Sequence, residues 1–114
     1  MFSEDLKLQK LQSYCLISDE SDLLAFGQFY LRLGRCHLGR LIVNPEFRGQ
    51  GIIHTLIDKL SDYGCAELNV NQCSLFVLNN NEFALRAYKA YGFKLDKYPK
   101  KLQLENCLYM IKSH

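Results

Sequence analysis

The chain has 114 residues, a hydrophobic fraction of 48%, a charged fraction of 23% and a formal net charge of +2. That length suits one domain, residues 1–114, with about two-thirds of its unfolded surface buried. The charge is too small to point to a nucleic acid or a membrane surface, no apolar run reaches the roughly 18 residues of a membrane span, and the acidic start, Met1 to Asp5, lacks the basic and apolar regions of a secretory leader.

Residues 4–12 place Leu6, Leu8 and Leu11 among Lys7, Gln9 and Lys10, and a short helix is expected there. Residues 13–18 (SYCLIS) read as a strand, residues 19–22 as a polar turn of hairpin length, and residues 23–33 (LLAFGQFYLRL) as a long strand with a bulge at Gly27. Gly34-Arg35 turns the chain, and residues 36–43 (CHLGRLIV) return as a third strand of an antiparallel meander. After a turn at Asn44-Pro45 comes a helix whose apolar stripe is Ile52, Ile53, Leu56, Ile57, Leu60 and Leu68, with Gly64 on the same stripe and His54, Thr55, Asp58, Lys59 and Asp62 towards water. Asn69 suits a left-handed end to that helix. Residues 73–78 (CSLFVL) then read as a buried strand parallel to the third.

Asn81 is a good N-cap for a second helix over residues 82–91, closed by Gly92. Residues 93–97 and 104–112 read as the last two strands, with Lys97, Lys100 and Lys101 as solvated charges. Strands and helices in this order describe an α/β (α+β) layer plan around one mixed sheet. The five cysteines, an odd number without Cys-x-x-Cys spacing, read as reduced and mostly buried thiols of a cytoplasmic protein, not as disulfides or metal ligands.

Residues 41–60 (LIVNPEFRGQGIIHTLIDKL) organise the rest. A buried strand runs into Arg48-Gly49-Gln50-Gly51, and a helix begins at or just after the second glycine. A helix start carries partial positive charge and N–H groups without partners, and glycine lets the backbone approach a phosphate closely. Together they describe a seat for an anion, a pyrophosphate above all. No Gly-x-x-x-x-Gly-Lys-Ser/Thr run is present, and a dinucleotide fingerprint would need a third glycine.

The loop resembles the acyl-CoA loop of the GNAT superfamily of N-acetyltransferases, Arg/Gln-x-x-Gly-x-Gly/Ala. Arg48-Gly49-Gln50-Gly51-Ile52-Ile53 matches it except at Ile53, where a small residue is usual. The second signature of that family is Asn-x-x-Ala, then a tyrosine, then Gly-Phe, and Asn81, Ala84, Tyr88, Gly92 and Phe93 fall in its register. The two signatures stand in the right order, separated by a helix and a strand. The resemblance covers residues 13–112, nearly the whole chain.

What the resemblance implies is a GNAT-like mixed, mostly antiparallel sheet with flanking helices and a splayed central pair of parallel strands. Acetyl-CoA is the implied co-substrate, with no metal. Its pantetheine arm would lie against Leu41, Ile42 and Val43, with its pyrophosphate on the N–H groups from Arg48 through Gly49, Gln50, Gly51 and Ile52 to Ile53. Asn81 would touch the arm, Arg86 and Lys89 would meet the adenosine-side phosphate, and Tyr88 would stand beside the sulfur as general acid. A backbone N–H near Val43 would polarise the thioester carbonyl. Members often use a strand glutamate as base; residues 36–43 contain no acid, so His37 is the candidate base. Tyr30 is a candidate acceptor-site residue.

The family usually has a strand and two helices before the equivalent of Ser13, and here a dozen residues precede it. The resemblance therefore implies an acceptor pocket that is open, incomplete or finished by a partner, and an edge strand at residues 13–18 free to pair in a homodimer. The expected activity is transfer of an acetyl group from acetyl-CoA to a small-molecule or protein amine. The competing expectation is a shortened domain that binds CoA, or only dimerises, without turnover. A nucleic-acid-binding domain is a third and weaker reading, for want of a basic stripe.

Overall fold

The computed structural model describes residues 11–98 and 106–114. Among the described residues six strands form one sheet: β1 (Gln12–Ile17), β2 (Leu23–Arg32), β3 (Arg35–Val43), β4 (Gln72–Leu78), β5 (Lys94–Asp96) and β6 (Cys107–Ser113). Two helices connect them, α1 (Ile52–Leu68) between β3 and β4 and α2 (Glu82–Tyr91) between β4 and β5. The spatial order is β1-β2-β3-β4-β6-β5, and β3–β4 is the one parallel pair in it. The expected mixed α/β fold is the observed one. No helix among the described residues is long and apolar enough to cross a membrane.

The helix expected over residues 4–12 lies outside the described residues but for its last two, and Gln12 already opens β1. The final strand starts at Cys107, and residues 99–105, which include the expected Lys100 and Lys101, lie outside the description.

The core fills the space between the sheet and α1. Leu56, Ile57 and Leu60 of α1 are almost fully buried against Ala25 and Phe29 of β2 and Cys36 and Leu38 of β3. Each such side chain contributes about 1.5–3 kcal/mol through burial. Gly64 belongs to this stripe because a Cβ there would sit 2.3 Å from Cys36 Sγ. Asn69 ends α1 in the left-handed region (φ 56°), and the Val70 N–H donates back to Cys65 O at 3.0 Å. Asn81 caps α2, its Oδ1 accepting from the Ala84 N–H at 3.1 Å.

Two irregularities shape the middle of the sheet. The β2–β3 register slips between Phe26 and Gln28, where the single residue Gly27 faces Arg40 and Leu41, so the extra residue lies on β3, opposite the glycine where the bulge was expected. Opposite it, Arg40 takes a positive φ of 51°. The β3–β4 ladder has only three rungs, Cys36–Cys73, His37–Ser74 and Leu38–Leu75. Both strands continue past the last rung without pairing with each other, β3 to Val43 against β2 and β4 to Leu78 against β6. The bulge turns β3 away at the place where the ladder stops, since a bulge bends its strand and adds twist.

Candidate active site

The gap between the parting strands opens into a cleft of about 760 Å³ that runs under the start of α1 and along α2. Its entrance is built by the chain between β3 and α1. Asn44 pins this connection to the start of β2: its N–H donates to Leu24 O at 2.8 Å and its Nδ2 to Leu23 O at 2.7 Å. Asn44 Oδ1 also accepts from the Glu46 N–H at 3.1 Å, capping one turn of 3-10 helix over Pro45–Phe47. The following loop bends through two left-handed glycines, Gly49 (φ 81°) and Gly51 (φ 72°).

Gly51 is the N-cap of α1 and, being glycine, offers no side chain to occupy the first-turn donors. Among the described residues, the N–H groups from Gly49 to Ile53 have no acceptor. The α1 mouth is thus an open row of donors backed by the helix dipole. Arg48, His54 and Arg86 line the cleft around it, and no carboxylate does. This electrostatic setting suits a multiply charged anion.

Most of the sequence-predicted binding residues meet in this cleft. Leu41 and Val43 form the β3 wall, Arg48, Gly49, Gly51, Ile52 and Ile53 the mouth, and Asn81 and Tyr88 the α2 wall. Ile42 does not join them: strand alternation turns its side chain to the other face of the sheet, where it is 57% exposed. Gln50 is exposed and is not part of the lining. Lys89 is not part of the lining, whereas Arg86 is.

Tyr88 reaches the cleft from a largely buried position on α2, its ring edge-on to Phe93 with centroids 6.2 Å apart. Its hydroxyl has no hydrogen-bond partner among the described residues, yet no buried polar atom there is left unpaired, so the hydroxyl opens onto the cleft. Burial raises its pKa and keeps the phenol protonated at neutral pH.

His37 requires a correction. It does not line the cleft: it is 2% exposed and clamped between Tyr30 and Phe76, 5.2 and 4.6 Å away by ring centroid. Its Nδ1 meets Ser74 Oγ at 2.8 Å. Burial, helped by the nearby Arg32 charge, lowers its pKa to about 3. An imidazole held neutral by burial and kept out of the cleft is poorly placed to take a proton from an acceptor there.

Sequence reasoning also put His54 in water. Instead its ring packs on Tyr91, and its Nε2 lies 3.2 Å from Ala87 O, tying α1 to α2 at the side of the cleft. Helix periodicity ranked His54 by the sheet face alone and could not register a second helix on its flank.

The sequence pattern of the acetyltransferase (GNAT) family matches residues 2–93. The chain belongs to the GNAT family. This GNAT chain is 24% identical to the uncharacterized protein YxbD of Bacillus subtilis over 88 residues, 77% of the chain and 54% of YxbD. It is 32% identical to spermidine N(1)-acetyltransferase of Escherichia coli K12 over 57 residues, 50% of the chain and 31% of the enzyme. The chain therefore spans about half or less of the length of these curated relatives. Among solved structures, PaiA N-acetyltransferase of Thermoplasma acidophilum in complex with coenzyme A superposes with a TM-score of 0.77 at 19% identity, over 99% of this chain and 66% of that one. The shared fold is that of the family.

Proposed function

We propose that the chain is an acetyl-CoA-dependent N-acetyltransferase acting by direct transfer in a ternary complex. The observation that carries this reading is the parting of β3 and β4 after three rungs, beside an α1 mouth with unoccupied donors. Residues 39–43 present the edge of β3 to the gap, and an extended pantetheine arm can hydrogen-bond there as a strand would. The pyrophosphate then rests on the N–H groups from Gly49 to Ile53, with Arg48 and Arg86 adding charge. Each helix-terminus interaction of this kind is worth about 0.3–1 kcal/mol. Members of this family use acetyl-CoA, and PaiA N-acetyltransferase, of the same fold, is bound to coenzyme A.

In the proposed step a neutral amine attacks the thioester carbonyl. A C–N bond forms, the C–S bond breaks, the departing thiolate takes the Tyr88 hydroxyl proton, and the amine gives up one proton to water. Holding both reactants in line supplies much of the rate. Proton transfer from a positioned acid adds about 10²–10⁴-fold. The spermidine acetyltransferase relatives make a primary amine the natural acceptor class. A homodimer paired along the edge of β1, which has no second partner strand among the described residues, is part of this reading, and light scattering in solution tests it.

The deciding experiment has two readouts. Acetyl-CoA raises the melting temperature in proportion to the logarithm of its concentration if the cleft binds it, and free thiol accumulates when an amine panel is added. No shift at millimolar acetyl-CoA refutes the reading. A shift with no thiol release from any amine favours a CoA-binding domain without turnover.

A further inference from the structure

The face of the sheet opposite the helices carries a cluster that the cleft does not use. Strand alternation places Tyr30 and Arg32 of β2, His37 of β3, Phe76 of β4 and Tyr109 of β6 on this one face. Tyr98, just beyond β5, joins them, its ring 5.3 Å from Phe76 and 5.0 Å from Tyr109. The Arg32 guanidinium lies over this floor, with Cζ 5.8 Å from the Tyr30 ring centroid, 5.2 Å from Phe76 and 5.9 Å from Tyr98. Its Nη1 donates to Tyr30 Oη at 2.7 Å and its Nε to Tyr98 Oη at 3.1 Å.

Two facts make this more than packing. Arg32 has five N–H donors, uses two on phenols, and pairs with no carboxylate among the described residues, where the one ion pair is His114–Asp62. The cluster also sits where β3 and β4 begin to part: Phe76 is the first β4 residue past the last rung, and His37 is on the rung before it. A reactant lying on these rings stands at the apex of the gap, across the sheet from the cleft.

We propose that this platform is the acceptor subsite and that it selects a primary amine which also bears a carboxylate, an amino-acid-like acceptor. The inference rests on the acetyltransferase reading above. Arg32 takes the carboxylate on its remaining Nη donors, a pairing its planar fork favours. The partly exposed rings of Tyr30, Phe76 and Tyr98 support the aliphatic part, and the amine extends to the thioester at the apex. The same geometry disfavours a bare polyamine. An aromatic floor that could hold an ammonium by cation–π attraction is already filled by the guanidinium, whose charge repels a second cation.

Matched acceptor pairs test this: L-lysine against cadaverine and L-ornithine against putrescine, with spermidine as a third arm, each followed by thiol release from acetyl-CoA. The expected result is a KM at least tenfold lower for the carboxylated member, with kcat similar within each pair. Arg32→Gln should collapse that ratio towards one, and Arg32→Lys, a second variant that keeps the charge, should restore part of it. Preference for cadaverine or spermidine overturns the proposal while leaving the acetyltransferase reading intact, and so does a ratio that Arg32→Gln leaves unchanged. If CoA binds and no amine is acetylated, the catalytic reading falls, and the platform is judged by NMR of the Arg32 Nε–Hε group in the CoA complex. A saturable shift with L-lysine but not cadaverine supports the subsite, and no shift overturns it.

Discussion

The two ends of the β3–β4 pair obey different rules. At the closed end Cys36, Leu38, Cys73 and Leu75 are buried, and the sulfurs of Cys36, Cys65 and Cys73 lie within 4.8 Å of one another. Glycine is present there for lack of room, as at Gly64 beneath Cys36. At the open end glycine is present for its backbone: Gly49 and Gly51 have positive φ, and a Cβ at either would meet nothing within 4 Å. One residue type thus answers to packing at one end and to chain direction at the other. Damage at the closed end should register as lost stability, and damage at the open end as lost binding or turnover.

The largest effect expected at the closed end is acid sensitivity through His37. Its folded pKa, about 3, lies below the ordinary value of 6.5. The unfolded chain therefore binds this proton more readily, and the stability His37 contributes is complete above pH 6.5. It is lost as pH falls from 6.5 towards 3, at up to ~1.4 kcal/mol per pH unit. Chemical denaturation across that window measures the slope. His37→Asn, which retains a hydrogen-bonding partner for Ser74, should flatten it, and an unchanged slope would assign acid sensitivity to other groups.

At the open end the largest effect is on turnover. Tyr88→Phe removes a hydroxyl that makes no hydrogen bond among the described residues and keeps the ring against Phe93. The fold and the acetyl-CoA affinity should survive while kcat falls by about 10²–10⁴-fold. The high-pH decline in kcat that a phenolic acid imposes should vanish with it. Unfolding or loss of cofactor binding would mark Tyr88 as structural.

The legibility of these two ends in the sequence also differs. The meander, the helix stripe, the caps at Asn69 and Asn81 and the place of the irregularity at Gly27, though not the strand that bulges, were readable because each rests on local chain chemistry. The parting of β3 and β4 was readable only through the resemblance, since no local pattern states where a parallel ladder stops. His37 was misplaced because Cys36, His37 and Leu38 are all buried, so alternation could not show that both faces of β3 are covered at that point. The meeting of Cys36, Cys65 and Cys73 depends on how α1 registers against β3 and β4, which no spacing encodes. Arg32 does carry a signal in the sequence: Tyr30 and Arg32 are two apart on one strand and must share a face.

Gly64→Ala separates the two uses of glycine from the packing side. The added Cβ would lie 2.3 Å from Cys36 Sγ and 3.2 Å from the Phe29 ring. Phe29 is fully buried and cannot withdraw without moving β2. Overpacking of this kind costs about 1–3 kcal/mol, read as a lower midpoint in denaturant. The fraction still folded should bind acetyl-CoA normally, because the cleft lies beyond the last rung.

Gly51→Ala asks the complementary question and should have the smaller effect on stability. No atom obstructs the new methyl, so the cost comes only from holding alanine at φ 72°, about 1–2 kcal/mol. The chain can relieve that strain by rotating the peptide out of the left-handed region. Doing so re-aims the N–H groups of Gly51 and Ile52, which are the donors proposed to grip the pyrophosphate. Acetyl-CoA affinity should therefore drop several-fold or more, a larger fractional change than in Gly64→Ala, even though Gly64→Ala melts earlier. If the two variants lose affinity equally once corrected for the folded fraction, the division between a packed end and a binding end is wrong.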